Sequence, residues 1–373
     1  MKIALAHDFL RVYGGAERVL KELHELYPDA PIFTTVADEA LVREHFPKAD
    51  IRTSYLQTSW RKKINQLFLL AIPAAIESLD FTGFDVVISS SGAFAHGIIT
   101  SPDTRHISYC HSPMRYAWDW HAEFMREKNL DKGGLKTFLA NEKMSKLRFW
   151  DAVSAKRVDT WVANSKTVAA RIQQYYRQPS IVINPPVDTQ YFNPAKLGEP
   201  VKRGIHMLSI SRLGESKKVD QMIEACHQAG VPLRIAGQGS DHKLRAQAQA
   251  LKADVTFLGP ISEEVKRREL ASAAAFLFAA EDDFGIAPVE AMAMGTPVIA
   301  FGKGGATETV VQELTGILYP EQTVESLLMA IRMFKEKGVK GTEETIRQRT
   351  ELFSPEKFRT AIEQLVHGNA RKR

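Results

Sequence analysis

Short apolar runs of strand length alternate with amphipathic helical stretches in this chain, and the alternation starts twice. That rhythm demands parallel sheets covered by helices on both faces. The first series opens with a strand over Lys2 to Asp8, a tight loop at Gly14-Gly15 and a helix from Ala16 to Tyr27. Val19, Leu20, Leu23 and Leu26 share one face of that helix. Strands are expected at Ile32 to Val36, Val86 to Ser90, His106 to Cys110, Thr160 to Ala163 and Ile181 to Asn184. Helices are expected at Tyr116 to Lys128, Leu135 to Arg157 and Lys166 to Tyr176. Pro185-Pro186 and the segment Asn193 to Pro200 break the rhythm, and a domain boundary is expected there.

The second series has strands at Met207 to Ser211, Leu233 to Ala236, Val255 to Leu258, Phe276 to Ala279, Val298 to Ala300 and Ile317 to Tyr319. Helices fall at Val219 to Ala229, Asp241 to Lys252 and Ser262 to Ala271, then from Val324, from Glu343 and from Ser354-Pro355 to near Gly368. The expected architecture is α/β, with two Rossmann-like domains over residues 1–195 and 200–350. A cleft between two such domains is a default ligand site.

The 373 residues suffice for two ordinary domains, and a 44% hydrophobic content supports normal cores. A net charge of +5 is too mild and too dispersed to argue for nucleic acid. Cys110 and Cys226 are far apart without metal-type spacing, so neither a metal site nor a disulfide framework is expected. That pattern fits a reducing, cytoplasmic compartment. The first residues read as a strand rather than a signal peptide, and no apolar run approaches bilayer-spanning length.

Chemistry concentrates at strand ends in the second series. Glu281-Asp282-Asp283-Phe284-Gly285-Ile286 separates a buried strand from a helix that has Pro288 in its first turn and ends at Gly295. Open α/β sheets hold ligands in such loops, and ionised carboxylates there accept several hydrogen bonds from sugar hydroxyls. An ordinary loop with acids near a helix N-terminus is the plainer reading of the acids alone. Ser211-Arg212-Leu213, with Lys217 and Lys218 before the next helix, sets two kinds of cation at a strand end near a helix N-terminus, either a phosphate clamp or a solvated basic loop. Gly237-Gln238-Gly239 lets backbone approach a nucleotide, and Gly304-Gly305 forms a further turn whose amides either face phosphate or simply join strand to helix.

These motifs, in this order, resemble the retaining glycosyltransferases of family four, which have the GT-B fold. The resemblance covers most of the chain and is most specific from Ser211 to Val311. It implies a nucleotide-diphosphate-sugar donor held mainly by the second half, with a last helix at about 354–370 packing back on the first domain. By the resemblance, Arg212 and Lys217 hold the diphosphate and Glu290 the ribose. Asp282, with Glu281 and Asp283 beside it, and the backbone of Phe284, Gly285 and Ile286 would meet the donor sugar. Gly237 and Gly239 approach the nucleotide, and the amides of Gly14 and Gly15 face the phosphate. His111, in His-Ser-Pro-Met-Arg-Tyr, would contact the donor sugar or position the acceptor, with Arg115 and Tyr116 on the acceptor side. Two positions depart from the family: Asp282 where the pattern has Glu, and Lys218 where it often has Gly.

The implied reaction is hexosyl transfer by front-face displacement. The two cations would stabilise the departing diphosphate, and domain closure would exclude water. No Asp-x-Asp motif is present, so no metal and no cofactor are expected. The wording of the motifs most resembles mannosyltransferase-like members that build surface polysaccharide, which points to GDP-mannose. The acceptor would be a glycan or a lipid-linked glycan. Tyr55 to Ile72 mixes aromatics, a basic cluster and an apolar run. It reads either as a buried helix with a solvated basic end or as a segment resting on an anionic membrane at its cytoplasmic face. The rivals are a nucleotide-sugar epimerase of the same fold and a non-catalytic sugar-nucleotide-binding protein. A dehydrogenase is disfavoured, because no Gly-x-Gly-x-x-Gly follows the first strand.

Overall fold

A computed structural model of the chain describes residues 1–58 and 69–368. The chain divides into two compact units. One comprises Met1–Asn184 with the residues from Arg359 onward, and the other Pro185–Phe358.

The first unit is built on seven strands: β1 Ile3–His7, β2 Ile32–Thr34, β3 Ile51–Thr53, β4 Val86–Ser91, β5 Arg105–Cys110, β6 Thr160–Ala163 and β7 Ser180–Val182. Their order is β3-β2-β1-β4-β5-β6-β7, and every pair is parallel. Leu5 of β1 pairs with Ile32 on one side and Ile88 on the other. All six residues of β4 are buried, as a strand covered on both faces must be. The order reverses between β1 and β4, so the loops after these two strands diverge and open a crevice at the sheet's carboxyl edge. Helix Gly15–Leu26 leaves the β1 loop and buries Val19, Leu20 and Leu23.

The second unit repeats the plan with β8 Met207–Ile210, β9 Leu233–Ala236, β10 Val255–Gly259, β11 Ala275–Phe278, β12 Val298–Phe301 and β13 Gly316–Tyr319. The order β10-β9-β8-β11-β12-β13 is again wholly parallel. Its switch point lies between β8 and β11. Ser262 Oγ caps helix Glu263–Ser272 by accepting from the Val265 amide at 3.3 Å.

Two sets of elements differ from the sequence expectation. Tyr116 to Lys128 is not one helix: a 3₁₀ turn at Arg115–Ala117 precedes helix His121–Glu127. Trp118 lies between them, with its indole N–H donating to buried Asp151 at 2.7 Å and its ring stacked 4.8 Å from Tyr175. Those anchors outweigh helical continuity. Strand β3 and helices Glu39–His45 and Ala71–Glu77 were not anticipated, being too short to show a period. Of the basic-aromatic segment Tyr55 to Ile72, residues 59–68 lie outside the described residues, as does the basic tail Arg371 to Arg373. Among the described residues no helix is long and apolar enough to cross a membrane.

Candidate active site

In the second unit, four strand-end loops interlock around the β8/β11 switch point. Leu213 N–H donates to the Gln238 oxygen at 2.8 Å, and Gly305 N–H to the Asp282 oxygen at 2.9 Å. The glycines follow from this crossing. A Cβ on Gly237, at φ +146°, would lie 1.7 Å from the Ser211 oxygen, and one on Gly304, at φ +70°, 2.3 Å from the Asp282 oxygen. Their smallness therefore serves contacts between loops, and the Gly305 amide is engaged inside the protein. Gly239, at φ +136°, packs in the same way on Leu213.

The scaffold brings Lys217 and Asp282 together: Nζ lies 2.6 Å from both carboxylate oxygens, with the side chains 18% and 32% exposed. Arg212 is exposed and makes no ion pair among the described residues. Lys218 follows at φ +53°, a left-handed conformation natural to the glycine that the family pattern often has there. In the acidic loop, Glu281 and Asp283 are half-buried, while Phe284 turns into the core against Phe353. Gly285, at φ +82°, starts helix Ile286–Ala293. The Phe284 side chain is thus turned away from any ligand in this loop. Glu290 is 1% exposed and ion-paired at 2.6 Å with Lys266 of the preceding helix. Lys266 is itself buried and sits 5.1 Å over the Phe192 ring. Buried lysines are rare without such partners. Nothing in the sequence pattern drew attention to Lys266.

In the first unit the polar groups at the β1/β4 switch point are bonded to one another. Asp8, buried after β1, accepts the amides of Gly92, Phe94 and Ala95 at 2.8, 2.9 and 2.5 Å. Gly14 N–H donates to Glu17 Oε2 at 2.8 Å, so this amide too is engaged within the protein. His7 lies between Glu17 and Ser90, and Ser90 Oγ lies 2.7 Å from His111 Nε2. The His111 backbone is clamped as well, its N–H donating to Ser91 and its oxygen accepting from Asn164 Nδ2 at 2.8 Å. Burial and the neighbouring His7 push the His111 pKa down to about 3, against a weaker pull from Glu17. Burial acts to raise the Glu17 pKa, but the bond to His7, the charge on His7 and backbone amides leave it lowered. Arg115 is ion-paired to Asp119 at 3.4 Å, and Arg171 shares that carboxylate at 3.2 Å. Tyr116 lines a cavity of about 510 Å³ at the carboxyl edge of this sheet. Its other walls include His7, Asp8, Phe9, Leu56, Phe94 and Phe124. Sequence reasoning found His111 and Tyr116 here but missed His7, Asp8, Glu17 and Ser90.

Solved structures similar over nearly the whole chain define the fold as GT-B. One is Anabaena Alr3699/HepE in complex with UDP and glucose, with TM-score 0.72, 17% identity, and coverage of 99% of this chain and 100% of that one. Another is sucrose-phosphate synthase from Thermosynechococcus elongatus, with TM-score 0.76, 19% identity and 98% coverage of both chains. Residues 13–191 match the family model described as Glycosyltransferase Family 4, and residues 192–351 the model described as Glycosyl transferases group 1. The chain belongs to glycosyltransferase family 4, the retaining hexosyltransferases that use nucleotide sugars. Curated proteins similar to it include the alpha-1,3/1,6-mannosyltransferase alg2 of Schizosaccharomyces pombe, 23% identical over 86% of this chain and 71% of that protein. Human ALG2, with the same description, is 30% identical over 54% of this chain and 56% of that protein.

Proposed function

We propose that this enzyme transfers mannose from GDP-mannose to a glycan carried on a lipid, without a metal ion, at the cytoplasmic face of a membrane. The observation that carries the donor reading is the cation pair at the β8/β11 switch point, Arg212 exposed and Lys217 beside Asp282. As the bond to the sugar breaks, charge collects on the diphosphate, and preformed cations there lower the barrier. Lys217 would pass from Asp282 to a phosphate oxygen, freeing Asp282 for a sugar hydroxyl. Asp is one methylene shorter than the family's Glu, and Lys217 sets where its carboxylate starts. Glu290, held by Lys266, would receive the ribose. The mannosyl assignment rests on the two relatives described as mannosyltransferases. Support for a lipid-borne acceptor comes from the largely apolar walls of the first unit's cavity, among them Phe9, Val36, Leu56, Leu69, Ile72 and Phe124. Cys110 and Cys226 are both buried and form no disulfide among the described residues, which fits a reducing compartment.

A uridine donor is the second reading, favoured by the UDP in the HepE structure. Both are tested by incubating the enzyme with radiolabelled GDP-mannose or UDP-glucose, bacterial lipid extract and EDTA, then partitioning the products into organic solvent. The expected result is organic-phase label from GDP-mannose alone, released by an α-mannosidase. Label from UDP-glucose alone overturns the sugar assignment. Product confined to the aqueous phase overturns the lipid acceptor.

A further inference from the structure

The central strand β4 ends in three consecutive serines, and each meets a histidine. Ser89 Oγ lies 2.8 Å from His106 Nε2, Ser90 Oγ 2.7 Å from His111 Nε2, and Ser91 Oγ 3.3 Å from His96 Nδ1. His96 and His106 are buried, whereas His111 is partly accessible. The middle pair is therefore the one that connects the sheet interior to the candidate site.

Bond geometry constrains where the protons lie. His7 Nδ1 is 3.0 Å from the Ser90 backbone oxygen and 3.2 Å from its hydroxyl oxygen. A carbonyl oxygen only accepts, so His7 Nδ1 carries the proton directed at Ser90. On the far side of the ring the acceptor Glu17 Oε1 faces His7 Nε2 at 3.4 Å, so by the same rule that nitrogen donates too, and the pair keeps the imidazole from turning over. Receiving from His7, the Ser90 hydroxyl has its own proton to give, and its near neighbour is His111 Nε2. A neutral imidazole that accepts at Nε2 has its single proton on Nδ1. His111 Nδ1 takes no hydrogen-bond partner among the described residues.

We propose that Glu17, His7 and Ser90 are positioning residues that lock His111 in its Nδ1–H tautomer, so that it offers substrate a hydrogen-bond donor and not a base. The consequence is specific: His111 would bond to a sugar oxygen without removing the acceptor's proton. The low proton affinity of its ring is consistent with one proton at neutral pH. The kinetic part of this inference rests on the transferase reading above, but the tautomer does not.

The test is nitrogen-15 NMR of the full chain labelled in histidine, without donor or acceptor. The His111 signals are assigned by their loss in His111→Gln. The wild type should show Nδ1 protonated and Nε2 bare, and Ser90→Ala should return His111 to the usual Nε2–H form. Ser90→Thr keeps the hydroxyl and should keep the wild-type pattern. An Nε2–H signal in the wild type overturns the proposal, even if Ser90→Ala fails to fold. A Ser90→Ala spectrum identical to the wild type overturns it as well. In the transfer assay, Ser90→Ala should lower kcat about tenfold with donor KM little changed, and Ser90→Thr should restore most of it. A tautomer change with unaltered kcat would show that the lock has no part in the reaction.

Discussion

At the β1/β4 switch point of the first unit, most of the charged and polar side chains bond within the protein itself. Asp8 holds three backbone amides, Glu17 holds Gly14 and His7, and Ser90 joins His7 to His111. At the β8/β11 switch point of the second unit, Arg212 is exposed and Lys217 has a single, partly exposed partner in Asp282. The same strand order around the switch point thus carries two kinds of site. A buried network whose members bond one another fixes geometry, because most rotations break one of those bonds. Exposed charges exchange one partner for another at little cost, which suits a ligand that arrives and leaves in every turnover.

The contrast is broken most strongly by acid. His106 and His111 have pKa values pushed down to about 3, in both cases chiefly by burial, from an ordinary value of 6.5. Between those limits the unfolded chain binds more protons than the folded one, so stability falls as pH falls. The lowered Glu17 pKa acts in the same direction. In the second unit the His206 pKa is also lowered, by burial first. All five tryptophans, from Trp60 to Trp161, belong to the first unit. Tryptophan emission should therefore report unfolding between pH 6 and 3 ahead of the loss of helical circular dichroism from the whole chain. Coincident transitions, or unchanged emission at pH 4, would remove the distinction.

Lys217→Ala should cut turnover roughly a hundredfold, the usual effect of losing one group that meets developing charge, with the melting temperature little changed. A loss under threefold would mean that Lys217 is structural, like the groups of the first unit. Lys266→Met sharpens the comparison from the other side, since the Lys266–Glu290 pair is the buried, geometry-fixing element of the second unit. Preference for the ribonucleotide donor over its 2′-deoxy form should drop about tenfold, the worth of one well-placed hydrogen bond. Unaltered preference would separate Glu290 from the ribose. The smallest effect is expected of Lys218→Gly. Relief of the left-handed residue should leave stability unchanged or raise it by up to about 1 kcal/mol in urea titration. A clear loss would give the lysine side chain a role of its own.

The alternation of apolar runs and helices was legible because buried parallel strands are continuous hydrophobic segments. Arg212, Lys217 and Asp282 were legible as charges at strand ends. Other parts depended on contacts distant in sequence. Trp118 breaks a helical pattern by reaching Asp151, and Gly237 is required by the oxygen of Ser211. The relay around Ser90 left one trace, an apolar strand Val86-Val87-Ile88 that turns to Ser89-Ser90-Ser91 at its carboxyl end. Reading that trace needs the strand order, which sets β1 and β5 on either side of β4 and brings His7 and His111 to the same serine.

The most direct measurement is calorimetric titration of the full chain with GDP-mannose, UDP-glucose, GDP and UDP in EDTA, repeated on Arg212→Ala. The expected result is selective binding of GDP-mannose and GDP, weakened at least tenfold by the substitution. Absence of binding by every nucleotide, or binding indifferent to Arg212, would contradict the assignment of the second unit's cations to the donor diphosphate.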